Sequence, residues 1–471
     1  MRKKFICIAM VIVCIANTLI GCGADYSSEE LVTQDVQNKF PEFSFNSDEQ
    51  PYYQKDNHII AVAEKGYYFV RNFPSGYLDN FTNTKYFRLE EDRNILSADS
   101  KSYGKMIYFY DINTDTVTPL CSKVDCKHNT TSCQAYFDTV EGDEDGGGFV
   151  YYNHRLYMVS YDNKAGMKLV SYDEHGSNQK DECVINSNPE YIPYFGGNND
   201  VCIFNGYVFS CGKRNKSSRD PINSEIVLFR TKMTDKTTEI LLTLEETTEQ
   251  FKYTKNFNCD IEVADNKMYI KTCSYNVEQD IFTYVLYESE GENLKEILRT
   301  NAPRDCNNRA EGEIYASIKG FAIDNNRNLY YVDEVESQGL FLKAELWKYD
   351  LDTKTKNKIY DLTNTIGYSV MCDDKYIYLN QYKGNSDISR LVIIDKDGNE
   401  VYVKQYSDKC DLAGVDDRYV IIRTSCKSNF SFNEETKSSP TDTYKYAALK
   451  KTSIGTGNEE WLQIYNGMFI Q

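Results

Sequence analysis

A strand-and-turn unit that recurs along most of this chain is the strongest constraint on its fold. The third strand of the unit and its hairpin are the clearest part. Ile107-Tyr-Phe-Tyr-Asp111-Ile-Asn-Thr-Asp-Thr116 reappears as Leu346-Trp-Lys-Tyr-Asp350-Leu-Asp-Thr-Lys-Thr355. Equivalent corners fall near Asp173, Lys232, Glu288, Asp395 and Lys450, at intervals of 62, 59, 56, 62, 45 and 55 residues. Two further strands precede each corner. Asn205-Gly206 divides Val201–Phe204 from Tyr207–Ser210, a strong type I′ hairpin signal. Asn153-His154, Asp265-Asn266, Asp373 to Lys375 and Asp416 to Arg418 hold the same place in other units, each ahead of an apolar run.

One four-stranded sheet cannot cover both of its faces, whereas a closed ring of such sheets covers them all. The expected fold is therefore all-β, a seven-bladed β-propeller. Six or eight blades are the alternatives, because the first repeat carries a long insertion and the last is irregular. The 39 Tyr and 23 Phe favour strands, and helical periodicity is almost missing. A multi-sheet β-sandwich fits less well, since nothing in a sandwich demands the recurrence.

Leu329-Tyr-Tyr-Val-Asp333 and Leu156-Tyr-Met-Val-Ser160 carry a family likeness. The repeat array they belong to, over roughly residues 58–466, resembles the divergent propellers of clostridial surface lipoproteins, whose blades are similar to YWTD and TolB-type propellers. The resemblance implies an exported propeller and no particular reaction. The chain has no sialidase Asp-box and no WD40 Trp-Asp pair. Gly-Gly occurs at Gly196-Gly197 and within Gly146 to Gly148 but does not recur as kelch repeats require.

The first 22 residues, MRKKFICIAMVIVCIANTLIGC, run from basic to apolar to a small residue and a cysteine. That order resembles the signal of bacterial lipoproteins, and the resemblance implies cleavage before Cys22 and a diacylglycerol on its sulfur. A secretory A-x-A site is missing, and the apolar run is shorter than the roughly 20 residues that span a bilayer. The expected organisation is a lipoprotein signal peptide over residues 1–21, a lipidated cysteine with tether over 22–57, and the propeller over 58–471. The chain is then extracytoplasmic, held to the cell membrane by lipid at Cys22. Cleavage removes Arg2, Lys3 and Lys4 and no acid, so the net charge moves from −18 to −21. Such a chain lacks the basic footprint of a nucleic-acid binder.

Cys121-Ser-Lys-Val-Asp-Cys126-Lys-His128-Asn-Thr-Thr-Ser-Cys133 follows the outer strand of the first repeat. Three thiolates and an imidazole make a complete tetrahedral set for zinc. The competing reading is a disulfide-stapled loop, which export favours. A similar cluster recurs in the lipoproteins named above. Cys259 and Cys273 are equidistant from Asn266, so a hairpin centred there sets them opposite one another as a disulfide candidate. Glu141 to Gly146 imitates half a calcium loop, but Tyr152 stands where the twelfth-position Glu belongs, so calcium is not expected.

The catalytic inventory is thin. No G-x-S-x-G elbow, H-E-x-x-H motif or phosphate loop occurs. His154 and His175 fall in hairpin turns, where they are expected to be exposed and idle. The reading is a binding module for an extracellular ligand or envelope protein, with long loops at Asn72 to Gly104 and Asn429 to Thr443. The alternative is a surface enzyme on glycans or peptides, using carboxylates in the propeller funnel. Lipidation has a direct check. The chain is expected to incorporate labelled palmitate and to partition into detergent, and Cys22→Ser is expected to abolish both.

Overall fold

The structure, a computed structural model, describes residues 60–72, 102–126, 132–140, 149–162, 164–177, 179–193, 201–217, 220–246, 258–276, 281–290, 293–303, 321–337, 340–362, 367–382, 389–407, 410–426 and 443–465. Cys22, the tether, the Glu141–Gly146 loop, the long excursions after Asn72 and Asn429, and His128 lie outside them. Among the described residues no helix is long and apolar enough to cross a membrane.

Seven antiparallel sheets follow one another along the described chain, each with its strands in sequence order from the ring axis outward. They are blades 1 (60–140), 2 (149–186), 3 (191–246), 4 (258–303), 5 (321–361), 6 (367–406) and 7 (410–465). The seven-bladed, all-β expectation holds. Two blades depart from the plain four-strand pattern. In blade 3 the inner strand is split between Tyr191–Pro193 and Val201–Phe204, both paired to Tyr207–Ser217. In blade 1 the outer strand is split between Thr116–Pro119 and Tyr136–Val140, both paired to Ser102–Asp111.

The corners form for the reason their composition suggests. Asp111, Asp173, Asp350 and Asp395 each turn a carboxylate back onto backbone N–H groups of their own hairpin, as in Asp350 Oδ1 with Asp352 N (2.9 Å) and Thr353 N (2.8 Å). A residue with positive φ then reverses the chain: Asp115 (52°), Lys354 (59°) or Gly398 (92°). Asn and Gly, and Asn and His, take the left-handed pair at 205–206 and 153–154 that a type I′ hairpin requires.

Each seam between blades holds its own buried cluster. Tyr68, Met106 and Ile107 of blade 1 meet Leu156, Met158 and Tyr172 of blade 2. Val332 and Leu346 of blade 5 meet Val370 and Leu379 of blade 6. Tyrosine supplies most of the largest fully buried side chains, including Tyr67, Tyr157, Tyr269, Tyr330 and Tyr378 on the second strands. Burying one such ring is worth on the order of 1.5–3 kcal/mol, and its hydroxyl must still find a partner.

The last seam closes the ring. Val62, Tyr67 and Phe69 of blade 1 pack on Ala413, Ile421, Tyr446 and Ala448 of blade 7. Tyr67 donates to Asp416 Oδ2 at 2.8 Å, and Arg418 donates to the carbonyls of Glu64 (3.0 Å) and Ala63 (3.4 Å). Among the described residues no strand crosses from one end of the chain to complete the other end's blade. Among the described residues, side chains join blade 7 to blade 1. Tyr67→Phe leaves the buried Asp416 carboxylate one donor short, so it is expected to cost about 1–3 kcal/mol. Urea melts of Tyr67→Phe against Tyr110→Phe, whose hydroxyl meets Asp115 at 3.0 Å, check it. Equal losses would sink the special role of this seam.

Candidate functional site

The turns that join each inner strand to the second strand all lie on one face of the ring, around the axis. Those of every blade but the third line a cavity of about 1080 Å³. Blades 1, 2, 4, 5, 6 and 7 contribute to its wall. Seven carboxylates line it, among them Glu64, Glu262, Asp374 and Asp417, against the cations Lys375, Arg418 and Lys451. Tyr151, Tyr152 and Tyr376 add aromatic surface. The cavity is therefore acidic and concave.

Three of those acids are structural. Asp324 accepts from Asn328 N (2.9 Å), Asn328 Nδ2 and Tyr330 (2.8 Å), with Lys396 Nζ at 3.3 Å from the next blade. Asp373 accepts from Lys375 N, Tyr376 N and Tyr378, and pairs with Lys451 of blade 7. Asp416 accepts from Arg418 N, Tyr419 N and Tyr67. Burial opposes ionisation of Asp324 and Asp373, but their donors and lysines outweigh it and hold both below the usual carboxylate range. At Asp416 burial wins over the same kind of donors and pushes the carboxyl up. The side chains of Asp324 and Asp416 are 2% and 0% exposed, so neither reaches a ligand. Asp265 N, Asn325 and Asp374 continue the belt from blade 4 to blade 6.

His154 does have a partner. Its Nδ1 lies 2.8 Å from Glu174 Oε1, and Tyr151 donates to the same oxygen. Tyr151 stacks on Tyr68 at 5.5 Å, and Tyr68 donates to the Glu174 carbonyl at 3.1 Å. Burial pushes the Glu174 carboxyl up, but the Tyr151 and His154 hydrogen bonds outweigh it and leave it below the usual range. The imidazole is exposed, 73% by side-chain area, and lines the cavity. Residue order hid this cluster. The signal was that both tight turns of a blade, carrying His154 and Glu174, emerge on one face. His175 is exposed in its corner, as expected.

The cysteine-rich segment is an excursion within the outer strand of blade 1. Ile107 marks its neck: Leu120 N donates to the Ile107 carbonyl, and Ile107 N donates to the Ala135 carbonyl, both at 2.9 Å. Cys121 and Cys133 stand just inside that neck. With Cys126, their sulfurs all lie within 4.8 Å of one another, and none is in a disulfide. These three cysteines could hold a metal ion. His128, the fourth donor expected from sequence, lies outside the described residues. Burial pushes Cys133 up to about 12. Burial raises Cys121 too, but donors from the Lys123 and Gln134 backbone and the neighbouring thiols outweigh it, so its pKa lies below the ordinary thiol value.

The second cysteine pair needs a correction. The hairpin centres between Asp265 and Asn266, pairing Ala264 with Lys267, so Cys259 stands opposite Thr272 and Cys273 opposite Asn258. The expected direct pairing of Cys259 with Cys273 assumed a turn one residue longer. Cys273 is buried and free.

No protein-family model and no curated protein matches the sequence. Solved structures similar to this chain include a β-propeller domain. The β-propeller domain of the Trilobed protease from Pyrococcus furiosus is 11% identical, covering 88% of this chain and 96% of that one, at a TM-score of 0.44. Polysaccharide lyase Uly1 is 11% identical, covering 92% and 94%, at 0.42. TolB from Acinetobacter baumannii is 8% identical, covering 77% and 76%, at 0.33.

One further titratable cluster lies away from the axis, between blades 2 and 3. Lys236 takes a left-handed φ of 63° in its corner and is fully buried, with Nζ 3.6 Å from Glu182 Oε2. Glu182 also accepts from Ser171, to which Arg155 Nη2 donates at 2.7 Å. Burial lowers the Lys236 pKa to about 8, against the attraction of Glu182. Between about pH 8 and 10 the unfolded chain holds a proton on this lysine that the folded chain has released, so Lys236 contributes a rise of stability with pH, opposed by buried cysteines such as Cys183 and Cys273, whose pKa values burial raises. Lys236→Met is expected to remove that contribution, so that the variant loses more stability than the parent chain between about pH 8 and 10. Urea melts across the window check it, and an unchanged slope in the variant would count against the assignment.

Proposed function

We propose that this chain is a lipid-anchored, extracytoplasmic binding module whose ligand seat is the axial cavity. The observation that carries the reading is an open cavity of about 1080 Å³ whose exposed acids are Glu64, Asp374 and Asp417. Low-dielectric walls lined by one sign of charge concentrate ligands of the other sign. The favoured ligand is a cationic segment of a peptide or protein, received by Glu64 and Asp374 at the rim. Attachment at Cys22 keeps the module at the membrane without help from its charge, which an anionic surface would repel.

The convergence of acids with Tyr151, Tyr152 and Tyr376 is also what a surface enzyme on glycans or peptides would need. Against that second reading, Asp324, Asp373 and Asp416 are already engaged by backbone donors, tyrosines or neighbouring cations. An acid–base pair needs carboxylates that reach substrate.

Isothermal titration of the full chain in detergent with a hexalysine peptide tests the binding reading. Binding is expected at low salt, weakening as ionic strength rises. Glu64→Gln combined with Asp374→Asn is expected to weaken it several-fold without changing the melting temperature. No binding, or equal binding of a hexaglutamate peptide, would rule the reading out.

A further inference from the structure

We propose that Cys121, Cys126 and Cys133 form a thiolate site for zinc, and that the metal closes the excursion in the outer strand of blade 1 on itself, beside blade 2. Three observations support this, beginning with convergence. Tetrahedral zinc with Zn–S bonds of about 2.3 Å sets its sulfurs about 3.8 Å apart, and the three sulfurs here all lie within 4.8 Å of one another. A disulfide uses two sulfurs and leaves no reason for the third to join them. Zinc uses all three, with one further donor completing the tetrahedron.

The second observation is the surroundings of the sulfurs. Cys121 Sγ lies 3.7 Å from Gln134 Oε1, which also accepts from Ser122 N and Oγ at 3.1 and 3.0 Å, so Gln134, the neighbour of Cys133 in sequence, fixes Cys121. A side chain that fixes the direction of a sulfur is the outer-shell support that metal ligands need.

The third observation is that, among the described residues of the segment, the cysteines pack against the core between blades 1 and 2 while the residues from Ser122 to Asp125 do not. Ser122 to Asp125 are exposed and without regular structure, and Val124 is 97% exposed. Polar contacts tie the neck: Ser122 N and Oγ donate to Gln134 Oε1 at 3.1 and 3.0 Å, and Lys123 Nζ donates to the Ser132 carbonyl. Gln134 Nε2 reaches the Ser177 carbonyl of blade 2 at 3.4 Å. A Cβ on Gly176 would lie 2.1 Å from the Leu120 carbonyl, so blade 2 meets the neck backbone directly. Segments too small to bury a core are commonly fixed by a metal or disulfide. On binding, each thiol releases its proton to solvent as its sulfur bonds to zinc, and no electron is transferred.

The test is metal analysis of the full chain, purified in detergent without chelator or reductant, with alkylation mass spectrometry of the cysteines. Stoichiometric zinc is expected, with Cys121, Cys126 and Cys133 alkylated only after chelation. Cobalt should replace zinc and give thiolate-to-metal charge-transfer absorption. Chelator should lower the melting temperature and added zinc should restore it. Cys126→Ser is expected to lose the metal while keeping the β-sheet circular dichroism of the ring. A chain without metal whose melting temperature responds to reductant and not to chelator would overturn the proposal. So would three free thiols that take up neither zinc nor cobalt.

Discussion

The seam between blades 1 and 7 is the contact on which the ring depends. A propeller blade exposes both faces of its sheet until neighbours cover them, so an unclosed array leaves two large apolar faces in water. Here Tyr67 and Phe69 meet Ile421, Tyr446 and Ala448, and no exchanged strand among the described residues reinforces them. Backbone hydrogen bonding inside each sheet does nothing to hold the ends of the ring together. That job falls to apolar burial and to the buried Tyr67–Asp416 hydrogen bond, backed by Arg418.

Blade 7 shows how the sequence solves this locally. Asp373-Asp-Lys-Tyr-Ile-Tyr378 in blade 6 and Asp416-Asp-Arg-Tyr-Val-Ile421 in blade 7 share one pattern, except that Ile421 replaces the tyrosine. In blade 6 Tyr378 satisfies Asp373 within the blade at 2.6 Å. In blade 7 the isoleucine leaves Asp416 to a tyrosine from blade 1. One substitution thus turns an internal hydrogen bond into a joint. The axial acids follow from the same logic: they look like a reactive cluster in a residue count, and most of the buried ones are acceptors for turn N–H groups and tyrosines.

The blades were legible in the sequence because the hairpin chemistry repeats and because Asp111 and Asp350 act through their own hairpin backbone. Contacts between turns were less legible. The Tyr151–His154–Glu174 cluster joins two turns of one blade, and the Cys259 register depended on whether the hairpin loop held two residues or three. An error of one residue moves a side chain to the other face. The cysteine cluster was legible as a composition, and its three sulfurs do converge. Its position did not follow from spacing, since nothing local marks Ile107 as the neck of an interrupted strand.

The sequential blade order has a consequence for how the molecule assembles. Every blade is contiguous in the chain, so each sheet can form as soon as its own segment is available, and its contacts are local by the standard of the whole fold. Tyr67 and Asp416 are 349 residues apart. A chain made from its N-terminus presents blade 1 first and must keep that blade's outer flank uncovered until the seventh arrives. The slow event is then the final docking of two finished ends, and the waiting face of blade 1 is where a neighbouring molecule's blade would most readily intrude.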